Sequence, residues 1–394
     1  MLAGFWSGGF EGADHVNASG VPLDLVLTSG HWHRLEEDHA RAAGAGLSSV
    51  RESIGWRVSE NAQGVIDLSR AQRVAESAQR HGLQVLWTLM HYGLPQGLSL
   101  HDDAMVPRFA RFAVEVVKAV GIPSDRAPVF TPINEMGFLA WAASQPHLLH
   151  APDNTVGMDD ASIRGRGYDA KCRLVRAALL AMRAMRAEDP RCVFMHAEPL
   201  VHVVAPLHRP DLAELAQRVG SWQWQVWDLL TGVERPELGG HADSVDLMGV
   251  NHYHNSQWEL ESFNRLEWHL QDPRRKPLSM LLQDAWLRYR KPLVLAETSH
   301  VGSGRAAWLH EVAGEVRTAR AQSVPLQGVC LYPLMDRPDW NDPTQWHRSG
   351  LWHVSQSEHD LPCVVQDDCA AALQSWQQHL PNAPSADLPL LVVL

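Results

Sequence analysis

The sequence of 394 residues has few cysteines and no excess of basic residues. Five cysteines without a Cys-x-x-Cys pair argue against a disulfide framework and favour reduced thiols in a cytoplasmic protein. Lys and Arg number 34 against 45 Asp and Glu, which gives a formal net charge of -11. Because a nucleic-acid-binding protein normally carries a basic face, we expect no nucleic-acid partner.

The chain also lacks a long apolar segment and a signal-peptide pattern. Its tail, LPLLVVL, is far shorter than the ~20 apolar residues that a membrane-spanning helix needs. The amino-terminal stretch MLAGFWSGGFEG has no basic region and no long apolar region, so we expect it to open the fold. The sequence therefore predicts no membrane partner, and it leaves the oligomeric state open.

Eight short apolar runs alternate with longer amphipathic segments. Taken as strands, they are AGFWSGGF, SSVRESI, LQVLWTLMH, PVFTPIN, RCVFMHAEP, VDLMGVNHY, KPLVLAET and GVCLYPLMD. This alternation predicts an α/β fold with parallel strands, and eight repeats predict a closed (β/α)8 TIM barrel in one domain over residues 1–394. An open doubly wound sheet is the alternative, but GGFEG lacks the spacing of a dinucleotide-binding loop. Long loops are expected after strands four and six.

Polar residues collect at the carboxyl ends of the predicted strands, where barrels place their active sites. Two carboxylates each close an apolar strand: Glu135 in TPINEM and Glu297 in PLVLAETS. Paired carboxylates suit glycosidic bond cleavage, with one acting as an acid on the leaving oxygen and the other attacking the anomeric carbon or activating a water. Two unrelated glutamates at element ends are the plainer interpretation. It is disfavoured because a closed barrel would bring Arg51, His91 and Tyr253 close to both carboxylates.

These strand ends resemble glycoside hydrolase family 1, a family of retaining β-glycosidases with the (β/α)8 fold. TPINEM resembles its Thr-x-Asn-Glu-Pro strand end, LMHYGLPQ resembles LYHWDLPQ, and VRESIGW resembles YRFSIAW. LMGVNHYH resembles DFLGINYY, PLVLAETS resembles PIYITENG, and GVCLYPLMDRPDW resembles GYFVWSLLDNFEW. The matches occur in the family's order across residues 4 to 352.

The resemblance implies a retaining, exo-acting β-glycosidase with Glu297 as nucleophile and Glu135 as acid/base. It implies that three residues support the nucleophile and keep it ionised: Arg51, Asn251 and Tyr253. It implies that six residues bind the sugar: His91, Tyr92, Asn134, Tyr332, Asp339 and Trp340. No cofactor and no metal are expected. Burial beside an anionic Glu297 should raise the pKa of Glu135, and retention predicts carboxyl groups about 5–5.5 Å apart.

Four positions depart from the family pattern. Gly9 stands where the family has a sugar-binding Gln, Tyr332 replaces a Trp, Asp339 replaces a Glu, and Met136 replaces a Pro. The glycone therefore stays open, although a phosphorylated sugar is disfavoured because the Ser/Lys/Tyr set of phosphosugar enzymes is missing after strand eight. The strand end also raises a geometric difficulty. Strict alternation points Asn134 and Glu135 to opposite faces, so we predict an irregular strand end there.

Other functions stay open at this point. The motifs HWH at His31–His33 and HYH at His252–His254 suggest a zinc-dependent barrel of the amidohydrolase type. HWH, however, reads as a loop that leads into a helix, and in NHYH we expect Asn251 and Tyr253 to face inward. A barrel that binds sugars without cleaving them is a further alternative, and a transglycosylase would differ only in its acceptor. Four more polar residues are interpreted as interior or supporting groups: Glu11, Glu52, His196 and Glu198.

Overall fold

The computed structural model describes residues 2–121, 126–145, 149, 160–354 and 363–382. Within these ranges eight parallel strands close into a barrel. The strands are β1 (Trp6–Gly9), β2 (Ser49–Ser53), β3 (Gln84–Met90), β4 (Val129–Ile133), β5 (Val193–Pro199), β6 (Leu247–Asn251), β7 (Leu293–Thr298) and β8 (Leu326–Leu331). Strands adjacent in this order are paired, and β8 pairs with β1. The predicted (β/α)8 barrel is therefore confirmed.

Helices cover the outside of the barrel. They are α1 (Leu25–Thr28), α2 (Leu35–Gly44), α3 (Trp56–Ser59), α4 (Ser69–Arg80), α5 (Met105–Val120), α6 (Met136–Ala142), α7 (Asp160–Glu188), α8 (Ala213–Ser221), α9 (Gln225–Leu230), α10 (Leu278–Tyr289), α11 (Arg305–Ala321) and α12 (Asp367–His379). Apolar residues spaced three or four apart give these helices a buried face; in α4 they include Ala71, Val74 and Ala78. None of the helices in the described ranges has the length and apolar character needed to cross a membrane.

In the described part of the chain, three short two-stranded ribbons lie outside the barrel. They pair His202–Val204 with Gln257–Glu259, Arg337–Pro338 with Trp346–His347, and Trp352–Val354 with Cys363–Val365. The long connection predicted after the sixth strand is present between β6 and α10. The one predicted after the fourth strand lies largely outside the described residues.

A cytoplasmic location stays a prediction, and Cys172, Cys192, Cys330 and Cys369 are buried free thiols as expected.

The barrel interior is apolar over most of its depth. Leu86, Val129, Met195 and Leu247 belong to one buried cluster, and the strand register sets Leu86 opposite Val129 and Met195 opposite Leu247. Arg51 stands opposite Leu86 in the same register, so its side chain shares this inner face. The apolar interior thus ends in a layer that carries a buried cation.

Candidate active site at the carboxyl ends of the strands

The chain breaks its regular geometry immediately after β4. Asn134 donates its backbone N–H to the carbonyl of Met90 at 3.0 Å, on one side, and Glu135 donates to the carbonyl of Ala197 at 2.9 Å, on the other. Glu135 itself adopts a left-handed conformation, with φ at 43° and ψ at 60°. This turn lets the adjacent side chains of Asn134 and Glu135 reach the same site. The predicted irregular strand end is confirmed.

A second irregularity aims Glu297. Along the β6–β7 pair, Val250 lies opposite Leu295 but the next residue, Asn251, lies opposite Glu297. Ala296 is therefore an extra residue in β7, as in a β-bulge. Ala296 packs in the apolar interior, and the bulge brings the following residue to the interior as well. The sequence did not indicate this bulge.

Glu297 is buried between a cation and a phenol. Arg51 donates from Nη1 to Oε1 of Glu297, and Tyr253 donates its hydroxyl to Oε2 at 2.6 Å. The same guanidinium donates from Nη2 to Oδ1 of Asn134 at 2.6 Å and from Nε to Oγ1 of Thr88 at 3.1 Å. Arg51 and Tyr253 thus lie beside Glu297, in the positions that the resemblance implied. The guanidinium compensates the charge of this buried carboxylate and fixes its orientation.

Among the described residues, the hydrogen-bond donors to Glu135 are neutral. Tyr92 donates its hydroxyl to Oε2 at 2.7 Å, and Asn251 donates from Nδ2 to Oε1 at 2.8 Å. Burial, followed by the negative charge of Glu297, raises the pKa of Glu135 to about 7. The direction is the one expected for an acid that must carry a proton at rest. The two carboxyl groups thus differ in environment: one is paired with a cation and the other is not.

Two residues have contacts other than those expected from the sequence. Asn251, expected to support Glu297, donates to Glu135 instead. The reason is the turn after β4: because Glu135 bonds to Ala197 on β5, its carboxyl leans over the end of that strand toward β6. Tyr92, expected to bind sugar, likewise directs its hydroxyl to Glu135. Both residues hold the second carboxyl group in place.

A hydrogen-bonded chain runs from Asn134 across the site. Its Nδ2 lies 3.1 Å from Nε2 of His91, whose Nδ1 lies 3.3 Å from Oγ of Ser53 and 3.4 Å from the hydroxyl of Tyr332. Burial and the nearby Arg51 lower the pKa of His91 well below its ordinary value. His91 is therefore neutral, and because Asn134 donates to Nε2, the ring proton lies on Nδ1. Ser53 was not singled out in the sequence.

At the far edge of the site, two departures from the family pattern, Gly9 and Tyr332, pack against each other. A Cβ atom on Gly9 would lie 2.3 Å from Cδ2 of Tyr332, so the tyrosine ring occupies the space above Gly9. The guanidinium of Arg51 lies over this ring, 5.2 Å from its centre. Where the family has a Gln and a Trp, this chain therefore has a glycine and a tyrosine that packs onto it.

Trp340 and Asp339 differ in their placement. The ring of Trp340 meets Tyr92 edge-on, with 5.8 Å between centres, so it borders the site as expected. Asp339 accepts hydrogen bonds from the backbone N–H groups of Asn341 and Asp342, and its Oδ2 lies 2.8 Å from Nε2 of His347. Its carboxylate thus bonds within its own loop, and among the described residues no hydrogen bond or ion pair joins it to the rest of the site.

An ion pair between the buried Glu11 and the half-buried Arg337 lies near this edge. Nε of Arg337 lies 3.2 Å from Oε2 of Glu11, and the guanidinium stands 5.7 Å from the ring centre of Trp340. Burial raises the pKa of Glu11, and Arg337 opposes this shift. Arg337 was missed in the sequence, although it lies inside the motif DRPDW that drew attention to Trp340.

The histidine motifs point away from the site. Nδ1 of His252 lies 2.8 Å from the carbonyl of Leu200, and its ring stacks near Trp308. Asn251 and Tyr253 face the carboxyl groups, as the alternation of side chains predicted. HWH lies in a turn that precedes α2, also as expected.

One buried group of residues on the outer side of β2 could hold a metal ion. Donor atoms of His31, His39 and Glu52 all lie within 4.8 Å of one another. Hydrogen bonds already engage all four ring nitrogens: Oε1 of Glu52 lies 3.1 Å from Nε2 of His31 and 2.9 Å from Nε2 of His39, Asp38 lies 2.8 Å from Nδ1 of His31, and Ser77 lies 2.9 Å from Nδ1 of His39. We call these five residues the β2 histidine cluster. These hydrogen bonds can hold the cluster together without a metal ion.

Comparison with known proteins gives only short sequence matches. No protein-family model matches the chain. A segment of 135 residues is 30% identical to β-glucosidase 11 of Arabidopsis thaliana and covers 32% of this chain and 25% of that protein. A segment of 117 residues is 27% identical to an aryl-phospho-β-D-glucosidase of Bacillus subtilis (strain 168) and covers 27% of this chain and 24% of that protein. The matches thus span about a quarter of each relative's length.

Solved structures match along nearly the whole chain. A β-glucosidase from Thermotoga maritima, bound to glucoimidazole, superposes with a TM-score of 0.71 at 17% identity over 95% of this chain and 97% of that one. The chain shares the (β/α)8 fold of this β-glucosidase. The AHE enzyme from Alicyclobacillus herbarius superposes with a TM-score of 0.72 at 19% identity, over 96% of this chain and 98% of that one. At these identities the likeness establishes the fold alone, and the activity must be argued from the site.

Proposed function

We propose that this β-glucosidase-fold protein is a retaining β-glycosidase, with Glu297 as nucleophile and Glu135 as general acid/base. The observation that carries the proposal is the unequal environment of the two carboxyl groups. Glu297 is held by the Arg51 cation and the Tyr253 hydroxyl, whereas the donors that the described part of the chain offers Glu135 are neutral and its pKa is raised to about 7. One anionic group and one protonated group at neutral pH are what double displacement requires.

The reaction follows from these two states. A carboxylate oxygen of Glu297 attacks the anomeric carbon while the proton of Glu135 passes to the departing glycosidic oxygen, so the bond to the aglycone breaks as an ester to Glu297 forms. Glu135, now a carboxylate, takes a proton from a water that attacks the same carbon. The ester bond breaks, the sugar leaves with its original β configuration, and both carboxyl groups return to their starting states.

The substrate is proposed to be a β-linked, non-phosphorylated glycoside that is cleaved from its end. Asn134 is suited to the 2-hydroxyl, because Arg51 orients its amide and His91 lies beside it. The rings of Tyr332 and Trp340 border the far side of the glycone. Aromatic faces stack on the C–H surface of sugars, and such a boundary favours action at a chain end.

The test is a panel of aryl β-glycosides assayed with the wild type and Glu297→Ala, with and without azide. Wild-type turnover, an inactive variant and azide rescue that yields an α-glycosyl azide are expected. Glu76→Ala is the matched control, because Glu76 is exposed on α4, and it should keep wild-type activity. Full activity of Glu297→Ala would contradict the assignment of the nucleophile. Loss of activity in EDTA that zinc restores would favour the metal-dependent alternative.

A further inference from the structure

A buried carboxyl group with no assigned role lies directly behind Glu135. Glu198 is in β5 and is 2% exposed. Its Oε2 accepts a hydrogen bond from the backbone N–H of Gly137 at 2.9 Å, while its Oε1 is buried without a hydrogen-bond partner among the described residues. A Cβ atom on Gly137 would lie 2.8 Å from Oε2 of Glu198, so an alanine at this position would push the carboxyl oxygen aside.

The contact spans the turn that carries Glu135. On one side of the turn, Glu135 donates its N–H to the carbonyl of Ala197. On the other side, two residues later, Gly137 donates to the carboxyl of Glu198. Consecutive residues of β5 therefore hold both sides of the turn. A left-handed conformation is strained for an L-residue, so it persists only where surrounding contacts enforce it.

We propose that Glu198 is a positioning residue for the acid/base: its carboxyl holds the left-handed turn and thereby aims Glu135 at the leaving oxygen. The inference rests on the proposed function of Glu135. Glu198 touches no reacting atom and acts through the backbone of residues 135 to 137. Tyr92 and Asn251 hold the Glu135 carboxyl from the front, and Glu198 holds its backbone from behind.

The pKa values of Glu198 and Glu135 are consistent with this role of Glu198. Burial raises the pKa of Glu198 to about 8; Glu135 adds to the shift, whereas the Gly137 N–H and Lys171 oppose it. Glu198 is therefore largely neutral where Glu135 works, and it adds no second buried charge beside the acid. Glu135 in turn faces Glu297, Arg51, Tyr92 and Asn251 on its other side.

The experiment compares two aryl β-glycosides with the same glycone. A 2,4-dinitrophenyl leaving group departs without a proton, whereas a phenyl leaving group needs one from Glu135. General acid catalysis contributes typically ~10²–10⁴-fold, so a misplaced acid should lower kcat/KM for the phenyl substrate about tenfold or more relative to the dinitrophenyl substrate. Glu198→Ala should show this selective loss. Glu198→Gln, whose amide oxygen can still accept from Gly137, should keep the wild-type ratio.

A second variant keeps the test decisive if Glu198→Ala does not fold. Gly137→Ala adds the Cβ atom that would press against Glu198 Oε2, and it should give the same leaving-group dependence. Equal losses on both substrates, or no loss on either, in Glu198→Ala and Gly137→Ala would overturn the proposal. An inactive wild type would instead refute the glycosidase function, and the proposed role of Glu198 would then be refuted as well.

Discussion

Replacing Glu52 by Gln should destabilise the protein strongly, because Glu52 is the centre of the β2 histidine cluster. One carboxylate oxygen, Oε1, lies within hydrogen-bond distance of both His31 and His39, and all three residues are buried. Glu52 also directly follows Arg51, so the cluster anchors the strand that orients the proposed nucleophile. Removing one partner of a buried ion pair costs typically about 3–5 kcal/mol, because the other charge stays buried without compensation.

The pKa values give a similar magnitude and a pH range. Glu52 and Asp38 raise the pKa of His31 to about 9 despite its burial, from an ordinary 6.5. That difference corresponds to about 3 kcal/mol, at about 1.4 kcal/mol for each pKa unit. His31 contributes this stability fully below its unfolded pKa and loses it as the pH rises through about 9. The same contacts lower the pKa of Glu52 to about 2, so its contribution is present above about 4.5 and fades as the pH falls toward 2.

Urea unfolding of the wild type and Glu52→Gln across a pH series measures this effect. The difference in unfolding free energy should be largest between about pH 4.5 and 6.5 and should shrink on both sides. Glu37→Gln is the control: Glu37 is exposed and pairs with Arg41 on helix α2, so its replacement should have little effect. A small or pH-independent difference for Glu52→Gln would refute the reasoning. If EDTA destabilised the wild type and a stoichiometric metal were found, the cluster would be a metal site.

Three further predictions concern the site itself. Glu135→Gln should lose most activity on phenyl glycosides but little on dinitrophenyl glycosides, and wild-type kcat/KM should fall as the pH rises through about 7, because only protonated Glu135 is active; a pH profile that is flat there would contradict this. Tyr253→Phe removes a hydrogen bond to a charged group worth about 1.5–3 kcal/mol, so kcat should fall by up to roughly 10- to 100-fold and the melting temperature by about a few degrees; wild-type kcat would contradict it. Asp339→Asn should change kcat/KM only a few-fold, because its carboxylate serves its own loop; a loss as large as that of Glu135→Gln would show that Asp339 binds the substrate.

Much of the fold and part of the site could be predicted from the sequence. The alternation of apolar runs with amphipathic segments is a local pattern, and eight repeats of it leave few arrangements other than a closed barrel. Glu135 and Glu297 stood out because a carboxylate at the end of a buried strand is costly without a function. The pairing of Arg51 with Glu297 followed from the resemblance, and the structure contains it.

Only the tertiary structure decided which group each side chain serves. Asn251 and Tyr92 contact Glu135 because the turn after β4 is held by β5, and the Ala296 bulge brings Glu297 inward against strict alternation. Such irregularities depend on contacts between residues far apart in the chain, which a local pattern of polar and apolar residues does not encode. The sequence by itself determined the barrel and the two carboxylates; the packing of neighbouring strands determined the orientation of the two side chains and the hydrogen-bond donors that hold each of them.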